Sequence, residues 1–293
     1  MTEAHRPVAL VTGANRGTGL AIAAELHAGG WEAWGLNHTP AGKPWLPEAP
    51  CDLESADAVT AAVETVAAAQ RAARQGDSPV MIQEVGGYCA GAVRDLARVP
   101  GFRGIVEDTK QGQWQYERAA PLPLPVFSIA DSPLKALEDV QVGRSVAYSV
   151  ERLLRLRFYR LLSERRVLVL GYGGIGTADP PHLRDGVVLA SGSSKQVEFD
   201  VKGLRRAASA SAEVDEVLEL RVADRTVYLL NDGKPVNFME HSILGSVLDL
   251  VYTELYLCTR ELARQTWEPG LHRLDPRLQR ELAQRWREEY GQR

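Results

Sequence analysis

Apolar positions along the chain come in short runs separated by glycine and in longer stretches at helical spacing. Val8-Ala9-Leu10-Val11-Thr12 is followed at once by glycine, which predicts a buried parallel strand. Leu20 to His27 has helical spacing and stops at Gly29-Gly30. Trp31 to Leu36 predicts a second strand, residues 39–50 a proline-rich loop, and Ser55 to Arg74 an Ala-rich helix with Ser55 as N-cap. Val80 to Val85 is strand-like again. Such alternation predicts a parallel sheet covered by helices.

Further on, Arg118 to Val126 predicts a proline-rich connection. Ser132 is a candidate helix cap with Pro133 in the first turn. Val140 to Leu162, Ile243 to Ala263 and Arg273 to Tyr290 read as helices. Val167 to Leu170, Val187 to Ala190 and Val197 to Val201 read as strands. Val214 to Leu230 alternates around a hairpin turn at Ala223-Asp224-Arg225.

Composition narrows the function classes. With 34 Lys+Arg against 38 Asp+Glu in 293 residues, the net charge of −4 argues against a nucleic-acid or anionic-membrane partner held by bulk charge. Cys51, Cys89 and Cys258 form no C-x-x-C pair, so neither a disulfide framework nor a cysteine zinc site is expected, and no metal is assigned. No apolar run reaches about 18 residues and the first residues carry no apolar leader, so the expected compartment is the cytoplasm.

Chemistry enters with glycine. Thr12-Gly13-Ala14-Asn15-Arg16-Gly17-Thr18-Gly19 follows a predicted strand and opens a predicted helix. Glycines there let the backbone approach a pyrophosphate, and the helix N-terminus supplies free N–H groups and a positive dipole. Gly13, Arg16, Gly17 and Gly19 are therefore candidate cofactor-binding residues. This motif, with Cys51-Asp52-Leu53, resembles the start of the short-chain dehydrogenase/reductase family over residues 7–75. The resemblance implies a bound dinucleotide with Asp52 at the adenine. Asn37-His38 stand where an acidic residue would hold an NAD ribose, which together with Arg16 leans to NADP. The family's later N-N-A-G and serine/Y-x-x-x-K elements are not found. Tyr148-Ser149-Val150-Glu151-Arg152 has arginine where lysine should be, and Tyr148 reads as a helix-face residue.

Gly171-Tyr172-Gly173-Gly174-Ile175-Gly176 meets a second dinucleotide spacing, making Gly171, Gly173 and Gly176 candidates too. Pro180-Pro181 follows where a helix should be under way. From residue 79 onward the chain resembles the S-adenosyl-L-homocysteine hydrolase family. Glu84-Val85-Gly86-Gly87, Gly104-Ile105-Val106-Glu107-Asp108-Thr109, Asp131-Ser132 with Lys135 and Asp139, the Gly171 loop, Val197 to Val201, Val236-Asn237 and Gly270-Leu271-His272 carry it in the family's order.

That resemblance implies a substrate domain from residues 1–140 and 241–293, an NAD-binding domain over 141–240, and long helices crossing between them. Relative to the family, the NAD-type domain lacks one strand–helix–strand repeat of roughly 50 residues. The resemblance also implies a redox cycle in which NAD oxidises a ribose hydroxyl whose proton is managed by Lys135 and Asp139. Asp108 stands at a family glutamate, Thr109 is kept, Asn237 maps to a nicotinamide contact, and His241 lies near a family histidine. Tyr88, Arg144 and Ser193 replace a family aspartate, cysteine and histidine, which should disable elimination chemistry.

The expected fold class is α/β, with Rossmann-like parallel sheets in two lobes joined by long crossing helices, the second lobe truncated. The expected function is binding of NAD or NADP by an oxidoreductase acting on a hydroxyl- or keto-bearing small molecule, in a homo-oligomer. Two alternatives stand beside it. One is a catalytically inactive fused or truncated homologue acting through oligomerisation, and the other is adenosylhomocysteine hydrolysis itself.

Overall fold

The computed structural model describes residues 6–74, 78–164, 185–192, 200–236, 239 and 245–291. In chain order the first elements are β1 (Val8–Thr12), α1 (Gly17–Ala28), β2 (Glu32–Asn37), β3 (Glu48–Pro50), α2 (Ala56–Arg74) and β4 (Val80–Glu84). Then come α3 (Val93–Leu96), β5 (Phe102–Glu107), α4 (Lys110–Arg118), β6 (Pro125–Ser128), α5 (Ala136–Phe158) and β7 (Val187–Leu189). The last are α6 (Val201–Ala207), β8 (Ala208–Val214), β9 (Val217–Val222), β10 (Arg225–Leu230), α7 (Gly245–Arg264), β11 (Gly270–His272) and α8 (Pro276–Tyr290).

The chain divides into two units, residues 1–136 with 248–293, and residues 137–247. The first unit is built on a seven-stranded sheet in the order β11-β6-β5-β4-β1-β2-β3, parallel at every pairing. Alternation along the strands explains its two cores. Val8, Leu10, Ile82 and Ile105 face Val59, Val63 and Val66 of α2. Ala9, Val11, Met81 and Val106 face Ile22 and Leu26 of α1 and Val251, Leu255 and Leu262 of α7. Burial on both faces is why these strands read as continuous apolar runs.

The second unit holds a four-stranded sheet in the order β7-β10-β9-β8. Only β7 and β10 pair in parallel, so the described sheet is mixed where a parallel one was expected. The alternating stretch folds back on itself, and Ala223 adopts φ 55° at the turn foreseen between β9 and β10.

Several local expectations are corrected. The 39–50 loop contains the short edge strand β3, where Pro50 is tolerated because edge positions need no full ladder. The 118–126 connection yields to β6 from Pro125 onward. The helix α4 has almost no apolar signal and starts because the Thr109 hydroxyl accepts from the Gly112 N–H. Val201 opens α6, capped by Asp200, instead of closing a strand. Exposed, Ala- and Ser-rich β8 carries no hydrophobic pattern to find. Gly171, Gly173, Gly176, Asn237 and His241 lie outside the described residues. Among the described residues no helix is long and apolar enough to cross a membrane.

Candidate functional site

A parallel sheet collects all its strand carboxyl ends on one edge. From β3 inward the order is 3-2-1-4-5-6, so the chain reverses its direction of travel between β1 and β4, and such a switch point opens a crevice above the strand ends. The loops of that edge carry the candidate residues.

At β1 the chain turns through Gly13 (φ 64°) and Gly17 (φ 53°), and α1 begins. A Cβ on either glycine would meet no atom within 4 Å, so the loop backbone is open to an approaching group. Gly19 does the opposite job. A Cβ there would lie 2.5 Å from the Gly13 carbonyl oxygen, so the helix can seat this closely on the strand only with glycine. Exposed Arg16 occupies the N-cap of α1 without a side-chain cap. This cradle fits the pyrophosphate of a dinucleotide.

Beside it, Asn37 ends β2 and is buried. Its Nδ2 donates to Glu48 Oε1 at 3.1 Å, and the Ala41 N–H donates to the same oxygen. Asn37 Oδ1 is buried without a partner among the described residues. Asp52 follows β3, exposed, with Oδ1 accepting from the Glu54 N–H at 3.0 Å. The end of β2 thus does hold a carboxylate, supplied by Glu48 from the neighbouring strand.

On the other side of the switch point, Glu84 and Glu107 end β4 and β5 as register partners, both fully buried. The Glu84 carboxylate accepts from the Cys89 N–H at 3.1 Å and from the Tyr116 hydroxyl. Glu107 accepts from the N–H groups of Gly86, Gly87 and Thr109 and from the Thr109 hydroxyl, at 2.6–2.9 Å. Burial pushes the Glu107 carboxyl up, and the bonds from Thr109 and Gly86 oppose that. The Gly86-Gly87 N–H groups are therefore committed to Glu107. Thr109 is a cap and a donor to Glu107. Tyr116, sequestered in the core, holds Glu84.

Beyond β5 and β6, Asp108 and Lys135 come together. Lys135 Nζ lies 2.6 Å from Asp108 Oδ1, with the side chains 12% and 8% exposed. Such a pair is far from the surface i,i+4 pairing that Lys135 and Asp139 could have made. Asp139 is exposed in the first turn of α5. Tyr148 is exposed on that helix, as a helix-face residue should be. Ser132 caps no helix; its hydroxyl donates to Glu254 at 2.7 Å. Nearby Asp131 accepts from Lys110, Gln113 and Arg273, and the bond from Lys110 leads in holding its carboxyl down.

Glu48, Glu84, Glu107 and Glu254 escaped the sequence reading as site residues. For Glu84 and Glu107 the signal was present: a glutamate closing an otherwise apolar strand needs buried donors. For Glu48 and Glu254 no local pattern exists, because their partners come from distant segments.

Burial is the leading cause that raises the Glu254 carboxyl above its ordinary value. A carboxyl whose folded pKa exceeds its unfolded one favours the fold below the unfolded value and loses that contribution as pH rises through the folded one. Wild type should therefore gain stability relative to Glu254→Gln as pH falls from 7 towards 5, measured by urea unfolding at each pH.

The fold and edge define an α/β protein of the doubly wound, Rossmann-like type. No family model matches the chain. By sequence it is similar to the adenosylhomocysteinase of Pyrobaculum aerophilum, 30% identical over 164 residues, which are 54% of this chain and 36% of that protein. It is also similar to that of Sulfolobus acidocaldarius, 30% identical over 146 residues (47% and 33%). That of Archaeoglobus fulgidus is 31% identical over 115 residues (37% and 28%). The chain spans about a third of the length of these curated relatives. Solved structures similar to it include the ligand-free aldohexose dehydrogenase of Thermoplasma acidophilum, with 17% identity, TM-score 0.30, and 48% of this chain and 74% of that chain covered. Another is the 3-ketoacyl-(acyl-carrier-protein) reductase of Brucella melitensis complexed with NADH, with 17% identity, TM-score 0.26, and 51% and 71% covered. The hydrolase resemblance thus has counterparts among the sequence relatives.

Proposed function

We propose that the chain binds a nicotinamide dinucleotide along the carboxyl edge of the seven-stranded sheet and serves hydride transfer on a hydroxyl- or keto-bearing small molecule. The observation that carries this reading is the strand order. It brings the Gly13–Gly19 cradle and the Asp108–Lys135 pair to the same edge, with β1 and β5 two strand spacings, about 10 Å, apart. Gly13, Gly17 and Gly19 would hold the pyrophosphate, and Asp52 lies towards the adenosine end. The nicotinamide end would reach towards Asp108 and Lys135.

When bound, the cofactor supplies the hydride acceptor or donor. Lys135 would donate a hydrogen bond to the substrate oxygen, and Asp108 would fix its direction. This reading assigns the cofactor to the unit that the hydrolase resemblance would give to the substrate.

Glu48 bears on the choice of cofactor. Its carboxylate at the end of β2 can accept from a ribose hydroxyl and repels a 2′-phosphate. The reading therefore favours NAD, against the earlier lean to NADP from Arg16. Calorimetric titration should give NAD binding at least about tenfold tighter than NADP binding, with the gap narrowed in Glu48→Gln. Binding of neither dinucleotide by the wild type would end the proposal. Tight binding without any turnover of alcohols or ketones would favour the inactive alternative, for which exposed Asp139 speaks.

A further inference from the structure

We propose that Glu254 is a positioning residue for Lys135, holding it in place and in its ammonium form, so that Lys135 acts as a charged donor to a substrate oxygen and not as a base. This inference rests on the reading above only for what Lys135 touches; the arrangement itself stands independently.

The chain of contacts is continuous. Glu254 sits on α7 with no exposed surface. The Ser132 hydroxyl donates to its carboxylate at 2.7 Å, and Gln279 Nε2 of α8 donates at 2.8 Å. Ser132 in turn organises the turn that carries the lysine. Its Oγ accepts from the Leu134 N–H at 3.2 Å, and its carbonyl accepts from the Lys135 N–H at 3.1 Å. The turn ends with Lys135 Nζ at Asp108. A change at Glu254 therefore reaches Lys135 through Ser132.

Charge points the same way. Among the described residues the carboxylate in contact with Lys135 is Asp108, and a second, Glu254, lies near enough behind its turn to interact with it by charge. Opposite charges held close in a poorly solvated place favour the charged form of an amine. Glu254 is an expensive residue to keep among Val251, Leu255 and Cys258 on α7, since a buried carboxylate is costly unless it acts on a counter-charge. The lysine of the hydrolase resemblance works by giving up its proton; here the surroundings oppose that loss.

The test is the acylation of individual lysines in the full-length protein by an amine-reactive acetyl ester. Peptide mass spectrometry reads the rates across a pH series, with Lys43 and Lys202 as internal controls. In Glu254→Gln the shape and both partners are kept and the charge is lost. Lys135 should then react about tenfold faster at pH 8, its whole rate–pH profile displaced to lower pH, with the controls unchanged. Mere loosening of the turn would raise the rate equally at every pH, and that result would overturn the electrostatic role. An unchanged Lys135 rate in folded Glu254→Gln would overturn the proposal outright. Should that variant not fold, Ser132→Ala removes one hydroxyl from the relay. A Lys135 rate–pH profile displaced to lower pH supports the proposal, and an unchanged profile or a rate raised equally at every pH refutes it. None of these readings needs a bound cofactor, so failure of dinucleotide binding is scored separately.

Discussion

Glu107→Ala should destabilise the protein by about 3–5 kcal/mol. The Glu107 carboxylate gathers three backbone N–H groups and a hydroxyl in a place without solvent. Alanine leaves all four donors facing a cavity. Each orphaned buried donor costs about 1–3 kcal/mol. The loss spreads through the neighbourhood, because Gly86 and Gly87 form the turn after β4, while Thr109 caps α4. Glu107→Gln keeps the length and one acceptor oxygen, but turns an NH₂ towards backbone donors, so it should fall between wild type and alanine. Urea unfolding monitored by circular dichroism measures both. A cost below about 1 kcal/mol for alanine would show that the clamp is dispensable.

Gly17→Asp should leave the fold nearly intact and remove dinucleotide binding. Gly17 adopts φ 53°, a region that aspartate tolerates better than most residues, and a Cβ there meets open space. The expected cost in stability is about 1 kcal/mol. The new carboxylate would stand at the N-terminus of α1, where free N–H groups would otherwise receive the pyrophosphate. Two like charges in that space should weaken binding at least about 100-fold, or some 3 kcal/mol. Gly19→Ala would be the poorer probe. Its Cβ collides with the strand, so lost binding there could not be told from lost structure.

Much of the first unit was legible because its strands are buried on both faces. β1, β2 and β4 appear as apolar runs closed by glycine or a polar residue, and α1 and α2 lie between them. What could not be read is where long-range partners override local pattern. Polar α4 depends on a threonine cap and on Tyr116 reaching Glu84. The strand β6 begins at a proline because β11, nearly 150 residues later, pairs with it. Ser132 has the chemistry of a helix cap and is diverted by Glu254 from α7.

The site was legible to the same degree and for the same reason. The loop Gly13–Gly19 is local in sequence, and its turn into α1 could be read there. Asp108 and Lys135 were both named, yet their pairing was not: Lys135 was matched to Asp139, four residues away, while its partner comes from the end of another strand. Glu48 could not be named from the sequence because its contact with Asn37 exists only once β2 and β3 pair.

The central claim is that one sheet edge holds a dinucleotide at its first glycine loop. Calorimetric titration of the wild type and of folded Gly17→Asp with NAD tests it most directly. One site per chain in the wild type, lost in Gly17→Asp, is the predicted result. Absence of binding in the wild type, or equal binding by the two proteins, would contradict it.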